Sequence, residues 1–159
     1  MNLSSEIIHF FQKQGCVILS TIDENGFPHS SCKGIIEIRP NGQLYLLDLY
    51  HGATYKNIIR NPQVGITAVN EHRFKGYCLQ GKARIAPAEG LGSHVAGVWE
   101  DKIISRITQR VLKNVTGEKG HPRHPEALLP KPKYLIAVKV KRVLDLTPQH
   151  LKQENADNG

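Results

Sequence analysis

The chain has 159 residues, 40% of them hydrophobic and 22% charged, with a net charge of +7. That length supports one domain with a sizeable core, and the composition is that of a globular protein rather than a disordered or fibrous one. No run of 18 apolar residues is present to span a membrane as a helix, and the first 14 residues have neither the basic start nor the small-residue cleavage site of a secretory signal.

Residues 3–14 read as an amphipathic helix. Ser4 or Ser5 caps it, Ile7, Ile8, Phe10 and Phe11 form its apolar side, and Gly15 closes it. Residues 16–22 follow as a strand. Asp23-Glu24-Asn25-Gly26 is a hairpin turn whose Asn-Gly pair supplies positive φ values, and 27–38 is the return strand, bent at Gly34. Arg39-Pro40-Asn41-Gly42 turns the chain into a third strand at 43–49.

The stretch 44–64 organises the rest. After the strand, His51-Gly52-Ala53 is a tight loop. Thr54 is placed to cap a short helix at 55–60, with Ile58 and Ile59 inward, and Asn61-Pro62 ends it. A helix start carries unpaired N–H groups and a partial positive charge. Thr54 and Lys56 beside it make either a small anion site, most naturally for phosphate, or simply a capped helix with an exposed lysine; the residues by themselves fit both.

Residues 64–70 are a fourth strand and 73–86 a fifth, in which Gly76 and Gly81 mark bulges or close backbone approach. Residues 98–115 are a second helix with Ile103, Ile104, Ile107, Val111 and Leu112 on one side, 116–133 a proline-rich loop, and 134–146 an alternating last strand. The expected fold is mainly β: an antiparallel split barrel of Greek-key type, with about six strands and a few short helices. It forms one domain over 1–147 with a helical and loop insert at 88–133, followed by a flexible tail at 148–159. Cys16, Cys32 and Cys78 are an odd number in strand-like contexts, which suits free buried thiols in a reducing cytoplasm and neither a disulfide framework nor a zinc site. The positive charge points to an anionic partner, a phosphorylated small molecule or nucleic acid.

The order of elements, with Asp23 to Pro28, Leu46 to Asp48, Thr54-Tyr55-Lys56, Asn61-Pro62-Gln63-Val64 and Gly81-Lys82-Ala83, resembles the pyridoxamine 5′-phosphate oxidase-like family of FMN-binding split barrels. The T-x-K followed by N-P-x-V after a strand is the most specific part. The resemblance implies a homodimer with FMN in two equivalent interface grooves. It implies that the return strand lies along the flavin, so that Pro28 to Lys33 face it, with Ser30, Ser31 and Cys32 at positions that contact the ring or ribityl chain and Lys33 beside them. Tyr50 and His51 would stand near the ribityl chain and phosphate. Thr54, Tyr55 and Lys56 would cradle the phosphate, with Lys56 as the main cation.

Three positions and the last strand depart from the oxidases. Tyr55 replaces a frequent basic residue, with Lys33 or a nearby arginine as the compensating charge. Ser31 replaces an arginine, and Gly76 a flavin-contacting glutamine. The last strand lacks the family's tryptophan and arginine-histidine substrate motif. The resemblance therefore implies an FMN-dependent oxidoreductase, fed by a reduced nicotinamide, that does not act on pyridoxamine phosphate. The competing reading is a non-catalytic carrier or sensor of flavin, haem or deazaflavin.

Cys32 has two readings, redox-active thiol or small buried hydrophobe. Trp99 is a ring to stack on a ligand or a helix anchor. His121 and His124 are a metal pair lacking a third ligand or part of a solvated loop, and no metal site is expected. Arg106, Arg110 and Lys113 are a polyanion site or a solvated helix face. Nucleic-acid binding is disfavoured, because the strands do not interleave aromatic and basic residues. No residue stands out as a general acid or base.

Overall fold

The computed structural model describes residues 1–87 and 134–152, with part of the stretch 97–117. Six strands follow one another: β1 Val17–Ile22, β2 Pro28–Ile38, β3 Gln43–Asp48, β4 Gln63–Asn70, β5 Lys75–Pro87 and β6 Tyr134–Asp145. They close into an antiparallel barrel, as the sequence predicts, and its strand order is β1-β2-β3-β6-β5-β4. Closure comes from β1 against β4, where Ile18 faces Thr67 and Ser20 faces Gly65. The inward side chains of all six strands, among them Leu19, Leu44, Leu46, Ile66, Leu79, Ile136 and Val138, are fully buried in one core.

Helix α1, Ser5–Gln12, packs against β2 and sends Phe11 into the barrel core. Ser4 caps it, its hydroxyl accepting from the Ile7 N–H. Phe11 is completely buried, which contributes roughly 2–3 kcal/mol. Phe10 packs edge-on against Tyr77, and Glu6 pairs with Lys75. Helix α2, Ala53–Arg60, packs against β5, β1 and β2. No helix among the described residues is long and apolar enough to cross a membrane.

Local geometry differs from expectation at several points. In the first hairpin only Gly26 has a positive φ, +86°; Asn25 does not, because the Asp23 carboxylate accepts from the N–H groups of Asn25 and Phe27 and holds the turn. The irregularity in the return strand falls two residues after Gly34, at Ile36, where the register slips between the pairs Ile35–Leu46 and Glu37–Tyr45. Of the two isoleucines expected inward on α2, Ile58 is buried but Ile59 is 64% exposed, since consecutive helical positions cannot share one narrow face. The fifth strand starts later than residue 73, after a 3-10 turn at Glu71–Arg73 that Phe74 ends in a left-handed conformation.

Strand β6 does not alternate in burial over its first half. Tyr134 to Val138 are all buried, with Tyr134, Ile136 and Val138 in the barrel core and Leu135 in a second cluster with Leu47, Ile36, Tyr45 and Leu49. Gly81 is the close approach that its position implied. A β-carbon there would overlap the backbone of Lys139, where β6 carries one extra residue, Lys141, between the partners of Gln80 and Gly81.

The expected insert at 88–133 falls mostly outside the described residues. Where positions between 97 and 117 are described they are largely helical, and Ile104 and Leu112 from the expected apolar side are exposed. Residues 149–152 form one helical turn. Cys16 and Cys32 are exposed rather than buried, and Cys78 is half-buried: Cys16 precedes β1 and Cys32 lies on the outward face of β2, where no inner core covers them.

Candidate functional site

Thr54 does not cap α2. The cap position is Gly52, and no side chain caps the helix there. Thr54 sits inside the first turn, 4% exposed, and its Oγ1 lies 3.0 Å from Ser31 Oγ. The chain enters the helix earlier than Thr54 would allow because Gly52 accepts the first intrahelical bond, from the Lys56 N–H. The N–H groups of residues 53–55 therefore have no intrahelical acceptor. Lys56 stands exposed one turn in. An uncapped helix start with a free-standing cation attracts an anion.

One turn further, Asn57 is buried, donating through Nδ2 to Thr21 Oγ1 at 3.0 Å. Arg60 Nη2 donates to the Ile22 carbonyl at 2.6 Å and to Asn57 Oδ1 at 3.1 Å. These bonds tie the inner face of α2 to β1. The Ser31 bond ties it to β2, so the direction of the helix start is set from two strands.

Beside this helix start lies a buried polar group. Lys33 Nζ and Asp48 Oδ1 are 2.9 Å apart and both nearly buried. Asp48 also accepts from the Leu49 N–H, and its Oδ2 lies 2.8 Å from the Tyr134 hydroxyl, which the Tyr50 carbonyl approaches equally closely. Burial, and then the hydrogen bond to the Asp48 carboxylate, push the Tyr134 hydroxyl well above its ordinary range. The His51 ring stacks on Tyr134, centroids 4.8 Å apart and planes 10° from parallel, and Tyr55 meets both rings edge-on. Tyr50 is 62% exposed at the rim.

Of the residues singled out in the sequence, Ser31, Lys33, Tyr50, His51, Thr54, Tyr55 and Lys56 thus gather around the start of α2. Ser30 and Cys32 do not join them. Side chains alternate along a strand, so these two point to the outer wall of the barrel, where Ser30 Oγ lies 3.2 Å from Ser20 Oγ. Ser20 borders a shallow groove of about 520 Å³ that runs across β1, β4, β5 and β6 past Thr67, Gln80, Lys82 and Arg142. Lys33, the expected compensating charge for Tyr55, has its amine on Asp48. Sequence reading missed Asp48, Tyr134 and Asn57. A carboxylate closing an apolar strand was the available signal for Asp48, since such a group needs a buried partner.

Trp99, Arg106, Arg110, Lys113, His121 and His124 lie outside the described residues. Among the described residues no three His, Cys, Asp or Glu side chains gather as metal ligands.

The family model described as pyridoxamine 5′-phosphate oxidase matches residues 3–146. The chain belongs to the pyridoxamine 5′-phosphate oxidase family. No curated protein matches it. Solved structures share the fold of this family member at low identity. HupZ of Group A Streptococcus is 18% identical with a TM-score of 0.61, over 91% of this chain and 94% of that one. A protein of Clostridium acetobutylicum related to general stress protein 26, of the pyridoxinephosphate oxidase family, is 14% identical with a TM-score of 0.61, over 88% and 84%. HutZ, the haem storage protein of Vibrio cholerae, is 16% identical with a TM-score of 0.52, over 91% and 94%. At Gly76, where the oxidases carry glutamine, this family member leaves little room: a β-carbon would lie 3.2 Å from the Ala68 carbonyl oxygen and 3.3 Å from Val69 Cγ2.

Proposed function

We propose that this member of the pyridoxamine 5′-phosphate oxidase family binds FMN and acts as an oxidoreductase on a substrate other than pyridoxamine phosphate. The observation that carries the reading is the uncapped start of α2, with Lys56 exposed beside it and Thr54 held by Ser31. A phosphate dianion needs N–H donors and a cation, and both are available there. FMN would bring its own two-electron chemistry between a reduced nicotinamide and a small acceptor, and the protein would hold and orient it. Tyr50, His51 and Tyr55 would border the phosphate and ribityl chain. The backbone of β2 from Ser30 to Lys33 would run along the flavin.

The assembly we infer is a cytoplasmic homodimer with the cofactor between subunits. The exposed Val69 and Phe74 support a covered outer wall. A second reading, haem carriage without turnover, is favoured by the fold shared with the haem storage protein HutZ and by the missing substrate motif.

The test is the visible spectrum of the purified chain, with the released chromophore identified. Flavin bands and released FMN are expected, with nicotinamide-driven bleaching under anaerobic conditions. A Soret band selects the haem reading. A colourless protein that takes up neither cofactor overturns both.

A further inference from the structure

The Sγ atoms of Cys16 and Cys32 lie 3.4 Å apart, and both residues are exposed. Cys32 faces outward from β2, opposite Ile18 of β1, and Cys16 reaches the same outer face from the residue just before β1. The β1–β2 register makes them diagonal neighbours on that face, and the two thiols are turned toward each other. A disulfide needs the sulfurs roughly 1.3 Å closer than this. Cys16 precedes β1 and lies outside the β1–β2 ladder, so strand pairing does not fix its backbone.

We propose that Cys16 and Cys32 form a reversible intramolecular disulfide, and that the pair reads the thiol–disulfide poise of the compartment. The chemistry is dithiol–disulfide exchange with a low-molecular-weight disulfide such as oxidised glutathione. One cysteine thiolate attacks a glutathione sulfur, forming a mixed disulfide and releasing one glutathione thiolate. The second cysteine thiolate attacks the first cysteine's sulfur, forming the Cys16–Cys32 bond and releasing the other glutathione as its thiolate. The protein loses two electrons and two protons, and one glutathione disulfide becomes two thiols. Disulfides in reducing compartments are commonly transient ones of this sensing kind. Closure pins the start of β1 to the middle of β2, next to Ser31. The inference does not rest on the FMN reading, because it concerns the thiols alone.

The experiment treats the reduced full-length chain with oxidised glutathione and counts thiols after denaturation. The chain has three cysteines, and one free thiol, Cys78, should remain. The mass should fall by two hydrogens, with a Cys16–Cys32 linked peptide in the non-reduced digest and full reversal by dithiothreitol. Cys78→Ser should close the same bond. Cys16→Ser should instead accumulate a glutathione adduct on Cys32 that the unsubstituted chain does not retain. Three persisting thiols, a linkage to Cys78, a stable glutathione adduct on the unsubstituted chain, or a covalent dimer on a non-reducing gel would each overturn the proposal.

Discussion

Ser31 Oγ and Thr54 Oγ1 meet at 3.0 Å, and this hydrogen bond joins the middle of β2 to the first turn of α2. It explains why Thr54 is a buried tie and not a cap. The hydroxyl that would have accepted from the helix's own backbone is turned to a neighbouring strand, and the helix N–H groups stay open.

Removing this tie should cost stability. Thr54→Ala leaves the Ser31 hydroxyl without its partner in a partly enclosed place, and a loss of about 1–2 kcal/mol is expected by chemical denaturation. Thr54→Ser keeps the oxygen and should recover most of it. A Thr54→Ala protein as stable as the parent would show that the bond contributes nothing.

Lys56 should behave in the opposite way. It is exposed, so Lys56→Ala should change stability by no more than about 0.5 kcal/mol. On the proposed reading it should weaken FMN binding by about 1.5–3 kcal/mol, the scale of a charge-assisted hydrogen bond. Titration followed by flavin fluorescence measures this, and an unchanged affinity removes Lys56 from the phosphate site.

Lys33 and Asp48 form a nearly buried ion pair. Lys33→Met strands the carboxylate, and a loss of about 3 kcal/mol is expected, near the low end for such pairs because Leu49 N–H and Tyr134 still donate to Asp48. Adding Asp48→Asn should restore part of the loss, and a double-mutant cycle on unfolding free energies would expose that coupling.

Tyr134 sets an alkaline limit. Its folded-state value lies well above the ordinary 10.0. The unfolded chain therefore releases this proton at lower pH than the folded one. The stability contribution is fully present below about pH 10 and is lost as pH rises beyond it. Tyr134→Phe should abolish that part of the decline in denaturation midpoints measured from neutral to strongly alkaline pH.

Gly81→Ala should destabilise by about 1–3 kcal/mol, because its β-carbon overlaps the Lys139 backbone at the β5–β6 bulge and one strand must move. The lost stability should appear with the barrel fold retained by circular dichroism.

Short-range patterns determined the strands, turns and most element ends. Gly26 and Gly42 adopt the positive φ their turns require, and Asn61-Pro62 ends α2 where proline must. The series of motifs in order, with T-x-K and N-P-x-V as its most specific part, indicated the family. These features depend on neighbours within a few residues, which is why they are legible in the chain. What Thr54, Lys33 and Cys32 do was decided only in three dimensions. Thr54 meets Ser31 across 23 positions, Tyr134 meets Asp48 across 86, and Cys32 meets Cys16 through the diagonal of a strand pair. Strand alternation separates Ser30 and Cys32 from Ser31 and Lys33, and the pairing of β6 with β3 sets Tyr134 opposite Asp48. A side chain's partner depends on which strands lie side by side and in what register, and no local pattern carries that information.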